Sequence, residues 1–131
     1  MRPVGQVAFG DAVATVRLGL IAAGITPLIV AEIPNPRPDE FIHLTRVGGT
    51  VALEVFDRAA ITADCWAPSL EDAMELGGSV RQQMHRMQGT TVGNVTVGRV
   101  IEIAGLSSGT DRGQSEQHRA RQSFQIDLRG Q

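Results

Sequence analysis

The middle of the chain changes its hydrophobic period at a proline, and this change constrains the fold more than any other feature. Apolar and polar side chains alternate over Ala60–Trp66, the period of two that is typical of a β-strand. After Pro68, apolar residues recur every three or four positions, the period of an α-helix. Ser69 and Asp72 form a capping box at the start of this helix. The sequence therefore predicts a strand that leads directly into a helix over Ser69–Met87.

The other elements are predicted from the same two periods. Helical spacing and an Asp N-cap predict a first helix over Asp11–Ala23. Gly48-Gly49 is typical of a hairpin turn, and Thr50–Phe56 fits either a return strand or a loop, with Asp57-Arg58 interrupting the strand. Glycines at positions 93 and 98 predict bulges or curvature in a long strand. The further predicted strands are Leu28–Ile33, Phe41–Val47, Val92–Ala104 and Arg121–Arg129.

These strands cluster as hairpins and do not alternate regularly with helices. Such an order predicts an α+β fold, in which a mixed, mainly antiparallel sheet carries two α-helices packed on one face. The 131 residues correspond to a single domain, residues 1–131, because a chain of this length has no room for two full cores.

Composition excludes several classes of function. The net charge is −2 and the isoelectric point is near 5.9, so a broad nucleic-acid-binding surface is not expected. The longest apolar run, Leu18–Ala23, is too short to span a bilayer, and we expect neither a secretion signal nor a membrane anchor. A single cysteine, Cys65, can form no internal disulfide, so folding in the cytoplasm is expected.

The residue types that could carry catalysis have simpler explanations. Cys65 alternates in phase with apolar neighbours, which indicates a buried structural thiol. His43, His85 and His118 show no metal-ligand spacing. Carboxylates cluster at the start of the second helix, where capping and the helix dipole account for them. The sequence therefore predicts no catalytic residue, no cofactor and no metal, and a protein that is not an enzyme.

Four features bear on contacts with other protein chains. Pro34, Pro36 and Pro38 form a stiff, exposed, extended linker, because alternate prolines cannot join a sheet ladder. Trp66 lies opposite in phase to Cys65, so it either packs in the core, half-buried under the first helix, or anchors an interface.

The other two features are the glycines of the second helix and a long polar segment. Gly77 and Gly78 together cost the helix about 1–2 kcal/mol relative to alanine, which indicates close approach to a sheet or to a neighbouring subunit. Leu106–Arg119 is predicted to be a mobile loop, longer than a hairpin needs, and such loops are commonly functional. The candidate interface residues in this loop are Arg112, His118 and Arg119.

The order of several short motifs resembles a known family. The run from Ile33 to Gly49 reads IPNPRPDEFIHLTRVGG, and a strand ending in Ala63-Asp64-Cys65-Trp66-Ala67 and a capped helix follow it. This combination is similar to the tail terminator proteins of long-tailed (siphovirus-type) phages of actinobacteria, over roughly residues 8 to 130. The arginine-rich, lysine-free composition fits a GC-rich host.

The resemblance implies a virion structural protein that is assembled in the host cytoplasm and located at the tail–neck junction. Family members form a homohexameric ring on the tail tube protein, stop tube polymerisation and join a neck or head-completion protein. Genomic DNA passes through the lumen without specific binding, and no membrane is involved. Two alternatives stay open: a neck or head–tail adaptor ring protein, and a small α+β ligand-binding domain or enzyme. The latter predicts an apolar pocket with converging polar groups.

Overall fold

A computed structural model describes residues 11–52, 56–110 and 117–130 of the chain. One six-stranded sheet, in the order β1-β2-β3-β6-β5-β4, carries both helices. Only β1 and β2 are parallel, and every other neighbouring pair is antiparallel. The elements are α1 (Ala12–Ala22), β1 (Leu28–Val30), β2 (Phe41–Ala52), β3 (Phe56–Ala67), α2 (Leu70–Arg86), β4 (Thr91–Val92), β5 (Val95–Thr110) and β6 (His118–Gly130). The α+β fold with a mixed, mainly antiparallel sheet is confirmed.

Both helices begin and end where the sequence predicts. The Asp11 side chain accepts a hydrogen bond from the Ala14 amide, and the Ser69 hydroxyl accepts one from the Asp72 amide. These side chains satisfy amides that have no partner inside the helix. Glu71 and Asp72 lie in the first turn of α2, near the positive end of its dipole.

The core lies between the helices and one face of the sheet. It is aliphatic apart from one phenylalanine, and Cys65 is buried within it, as predicted. Both helices contribute to this single cluster, so they pack on the same face. The central members are Val16 and Leu20 of α1, Val80 and Met84 of α2, and Ile42, Ile61, Cys65, Phe124 and Ile126 of the sheet. Within the described ranges, neither helix is long and apolar enough to span a membrane.

The Gly48-Gly49 turn prediction is wrong. Both glycines lie inside β2 and pair with Ala60 and Ala59 of β3, next to a bulge that follows Arg46. Their φ angles are 142° and 127°, and a Cβ on Gly49 would lie 2.1 Å from the Arg58 carbonyl oxygen. A bulge needs the same conformational freedom as a hairpin turn, so the dipeptide alone does not distinguish them. Thr50 belongs to β2, and residues 53–55 lie outside the described residues.

The predicted interruption at Asp57-Arg58 is also wrong, because both residues belong to β3. Asp57 is buried and accepts two hydrogen bonds of 2.6 Å from the Arg46 guanidinium. Arg58 forms a looser ion pair with Asp127, at 3.6 Å. A charged dipeptide thus continues a strand because partners on the neighbouring strands neutralise it.

Two further boundaries differ from the predictions. The first strand is shorter than predicted and ends at Val30. The long strand is divided, because Gly93 lies in the turn between β4 and β5 with a φ of 58°. Gly98, by contrast, lies at a bulge between Val97 and Val100, as predicted.

Most of the described part of the predicted loop Leu106–Arg119 is strand. β5 continues to Thr110 and β6 begins at His118, and Ser107 pairs with Arg121 across the ladder. This part of β5 is rich in serine and glycine and largely exposed, so it lacks the apolar alternation by which strands are recognised. The remaining positions, including Arg112, lie outside the described residues.

Candidate assembly surfaces

The face of the sheet opposite the helices is polar. Strand register places Phe41, Trp66 and Arg119 in one row across β2, β3 and β6, and the next rows toward the other end are polar. In the row of Thr45, Thr62 and Ser123, the hydroxyls of Thr62 and Ser123 are hydrogen-bonded at 2.8 Å. The face therefore combines a hydrogen-bonded centre with an aromatic end.

A buried carboxylate organises the charges of this face. Asp64 is 5% exposed and accepts hydrogen bonds from Arg121 Nε at 2.7 Å and Nη2 at 3.1 Å. Arg119 Nε lies 4.0 Å from the same carboxylate. The hydrogen bonds to Asp64 raise the pKa of Arg121 above its ordinary value. Two arginines thus surround one buried carboxylate. The sequence did not indicate Asp64 as a site residue, although it lies on the same face of its strand as Trp66.

Trp66 lies at the aromatic end of this face and not under α1, so that part of the core alternative is wrong. It is 5% exposed and stacks on Phe41, with ring centroids 6.2 Å apart and ring planes 16° apart. The guanidinium carbons of Arg37 and Arg119 lie 5.2 Å and 5.8 Å from the centre of its ring. Two cations therefore contact the indole from the linker and from β6. Its role in an interface stays a prediction.

The proline linker is tied to the start of β6. Gln117 Nε2 donates hydrogen bonds of 2.7 Å to the Pro38 carbonyl and 3.1 Å to the Asp39 carbonyl. Asn35 and Pro36 are exposed, whereas Pro34, Arg37 and Pro38 are half-buried, so the linker is less exposed than predicted. The linker therefore packs against the aromatic end of the face opposite the helices. Pro38 and Trp66 both lie near Arg119 there.

The two glycines of α2 have different surroundings. A Cβ on Gly77 would lie 2.7 Å from Leu106 Cδ1 and 3.2 Å from Ala120 Cβ, whereas nothing lies within 4 Å of one on Gly78. The buried Gln122 side chain also donates a hydrogen bond of 2.8 Å to the Gly77 carbonyl. Close approach of the helix to the sheet is thus confirmed at Gly77, while Gly78 lies on the outer surface of α2.

His118 and Arg119 lie in the first two positions of β6. His118 pairs with Ala67 and Thr110, and Arg119 pairs with Trp66 and Gly109. A Cβ on Gly109 would lie 3.0 Å from Arg119 Nη2, so this glycine leaves room for the guanidinium. Trp66, Pro38, His118 and Arg119 thus share one end of the sheet, whereas Gly77 and Gly78 lie on the helix layer.

The thiol and the possible metal ligands that the sequence offers can be located in the structure. Burial raises the pKa of the Cys65 thiol to about 12. Among the described residues, no three His, Cys, Asp or Glu side chains form a metal-binding group. A surface pocket of 390 Å³ beside the start of α2 is lined by Glu40, Asp72 and Glu75. Its lining is mainly polar, whereas a second surface pocket of 450 Å³, between α1 and the end of α2, has a mainly apolar lining that includes Leu18, Met87 and Val92. The ligand-binding alternative therefore stays a prediction.

Comparison with solved structures finds a related fold in a virion. A chain in the structure of the virion of a native gene transfer agent (GTA) particle superposes with a TM-score of 0.62. The similarity covers 92% of this chain and 96% of that chain, at 15% sequence identity. No family model matches the sequence, and no curated protein matches it. At this identity, the similarity establishes a shared fold.

Proposed function

We propose that this protein is a virion structural protein of a long-tailed phage. It assembles as a homohexameric ring, caps the tail tube, stops tube polymerisation and joins the tail to the head–neck connector. The observation that carries the proposal is the fold shared with a chain of the GTA virion over nearly the full length of both chains. The motif order from Ile33 to Ala67, which resembles tail terminators of actinobacterial phages, supports the proposed position at the end of the tail tube.

The sheet offers a physical basis for ring formation. A closed ring requires two different surfaces on each subunit, one complementary to the other. The borders of this sheet differ, since β1 and β2 lie at one side and β4 and β5 at the other. In this proposal the protein catalyses no reaction. It binds the tube, the neck protein and its own copies.

The end of the sheet with the aromatic row supports a role in docking to the tube or to the neck. Pro38, Trp66, His118 and Arg119 lie there, and the connection from β5 to β6 leaves from the same end. Residues 111–116 can be replaced by Asn-Gly, which together with Gln117 leaves a three-residue hairpin loop between the paired Thr110 and His118. We expect this variant to fold normally and to fail in tail joining. Normal joining would exclude the connection from the contact.

Electron microscopy of negatively stained particles tests the function. The purified protein is mixed with short tail tubes from a phage that lacks its terminator, and with head–neck complexes in a parallel reaction. A ring seated on one tube end, together with arrest of tube growth, is the expected result. Rings that ignore tube ends and bind the head–neck complex would replace the proposal with the neck-adaptor alternative. The absence of binding to either particle would reject both.

A further inference from the structure

Two long stretches of strand border lack a neighbouring strand within the described part of the chain. β1 pairs with β2 only as far as His43, which leaves an open β2 edge over residues 44–52. On the other side, β4 pairs with β5 only at residues 95 and 96, and backbone bonds from residues 89 and 90 reach Val97 and Gly98. The open β5 edge therefore runs over residues 101–110. The two open edges lie at opposite borders of one sheet.

Both open edges carry the features of a pairing site. Natural sheets protect unpaired edges with charged side chains, prolines or covering elements, because exposed N–H and C=O groups recruit another strand. Here the open β2 edge exposes Val47 (59%) and Val51 (55%), and the open β5 edge exposes Ile101 (39%) and Ile103 (56%). These are four of the eight large apolar side chains that are exposed in the described residues.

The few charges on these edges do not protect them. Each open edge carries a single charged residue, Arg46 on one and Glu102 on the other. Arg46 is held by Asp57, and Glu102 is held by Arg81, both within the same subunit. Neither edge contains a proline. A strand of suitable shape would therefore meet no charged barrier.

We propose that the open β2 edge of one copy pairs with the open β5 edge of the next copy. The inference rests on the proposed ring-forming function and names the contact that closes the ring. The occupant is a second copy because one head-to-tail contact engages both edges of each subunit, and residues 45–48 of one edge lie level with residues 101–104 of the other. An isologous contact between two β2 edges would leave both β5 edges open.

The strand directions determine how the copies join. β2, β3, β6 and β5 alternate in direction, so β2 and β5 of one subunit run antiparallel. Rotation about an axis along the strands keeps each direction, and the junction between copies is therefore antiparallel. It repeats the pairing that already holds the sheet together, and six copies form a continuous sheet across every subunit boundary.

Charged substitutions test the contact without disturbing the core. Val47→Lys and Ile103→Lys place an ammonium on each exposed edge, and we expect either change to convert rings to folded monomers with an unchanged circular dichroism spectrum. Leu70→Lys is the matched control, because Leu70 is exposed at 43% but lies on α2, and it should leave the rings intact. Rings that survive both edge substitutions would overturn the proposal.

Cysteine cross-linking distinguishes this contact from other modes of assembly. One cysteine is placed at Val47 or Val51 and another at Ile101 or Ile103, and the four combinations test four antiparallel registers. We expect a ladder up to the closed ring for a double variant, heterodimers from mixed single variants, and no dimers from a single variant alone. Dimers from one single variant would show an isologous edge, and no cross-link in any combination would overturn the pairing.

The outcomes separate this inference from the proposed function. Cross-linked rings that bind neither tubes nor necks would retain the edge contact and reject the role in the tail. Tube ends that are capped normally by the Val47→Lys and Ile103→Lys variants would retain the role and reject the edge contact. A variant that lacks residues 1–10 tests whether a segment of the same chain, and not a second copy, occupies an edge. If oligomers appear only after this truncation, the N-terminal segment and not a second copy occupies an edge.

Discussion

Replacing each of the two adjacent glycines of α2 by alanine provides an internally controlled test of the packing. Gly77→Ala and Gly78→Ala make the same change of helix propensity, a gain of about 0.8–1 kcal/mol each. Only the first introduces a methyl group beside the sheet, 2.7 Å from Leu106 Cδ1 and 3.2 Å from Ala120 Cβ. The difference between the variants therefore measures the crowding at this contact.

The expected magnitudes follow from these distances. Gly78→Ala should raise the free energy of unfolding by about 1 kcal/mol, because its methyl group meets no atom within 4 Å. Overpacking of a close contact costs about 1–3 kcal/mol, so Gly77→Ala should lie below Gly78→Ala by that amount. Gly77→Leu adds three more carbons and should be the least stable of the three.

Thermal and urea unfolding, followed by circular dichroism, measure these differences. For a chain of this size, 1 kcal/mol corresponds to a change in melting temperature of about 3–5 °C. Repeating both alanine variants in a Leu106→Ala background should narrow their difference, since Leu106 supplies the nearest atom and Ala120 remains. Equal stability of Gly77→Ala and Gly78→Ala in the wild-type background would refute the argument that Gly77 is required for close packing.

Three further predictions concern the charges and the thiol. Arg121→Met should lower the free energy of unfolding by about 1–3 kcal/mol, because it leaves the buried Asp64 without its two hydrogen bonds. Arg58→Met removes only the looser ion pair with Asp127 and should change the free energy of unfolding by under about 1 kcal/mol. Equal losses of the two variants in urea unfolding would contradict this prediction. Cys65 should not react with a thiol reagent at pH 8 until denaturant is added, because burial raises the pKa of its thiol to about 12. Fast labelling of the native protein would contradict this prediction, since it would show that the thiol is accessible. The hydrogen bond from Arg81 lowers the pKa of Glu102 below its ordinary value, so the contribution of this pair to stability is present above the ordinary pKa and is lost as the pH falls through the lowered one. Glu102→Gln should flatten this part of the pH–stability curve, and an unchanged slope would contradict the assignment.

The sequence predicts those elements in which local signals and packing agree. Both helices have a capping side chain and an apolar face that enters the core, so their bounds could be derived without the structure. The central strand around Ile61 and Cys65 was predictable for the same reason, although it begins four residues earlier, at Phe56.

The errors concern segments that long-range pairing stabilises. Gly48-Gly49 and Ser107–Gly109 carry turn-like residues but lie in ladders with β3 and β6. Their strand conformation depends on partners that are distant in sequence, and no local pattern encodes that. The candidate interface features show the same difference between local signals and long-range pairing. Gly77 was found through its propensity, whereas the Asp64–Arg121 pair and the open edges depend on the strand order.

The hydrogen bonds between Gln117 and the Pro38 and Asp39 carbonyls hold the linker beside Trp66, so the fluorescence of this tryptophan reports on the linker. Trp66 is the only tryptophan, it is shielded from water, and Arg37 of the linker lies over its ring. Release of the linker would hydrate the indole while the core on the other side of the sheet stays intact. Its emission wavelength therefore reports events at this end of the molecule separately from unfolding, and the wild-type chain needs no added dye to follow docking in real time.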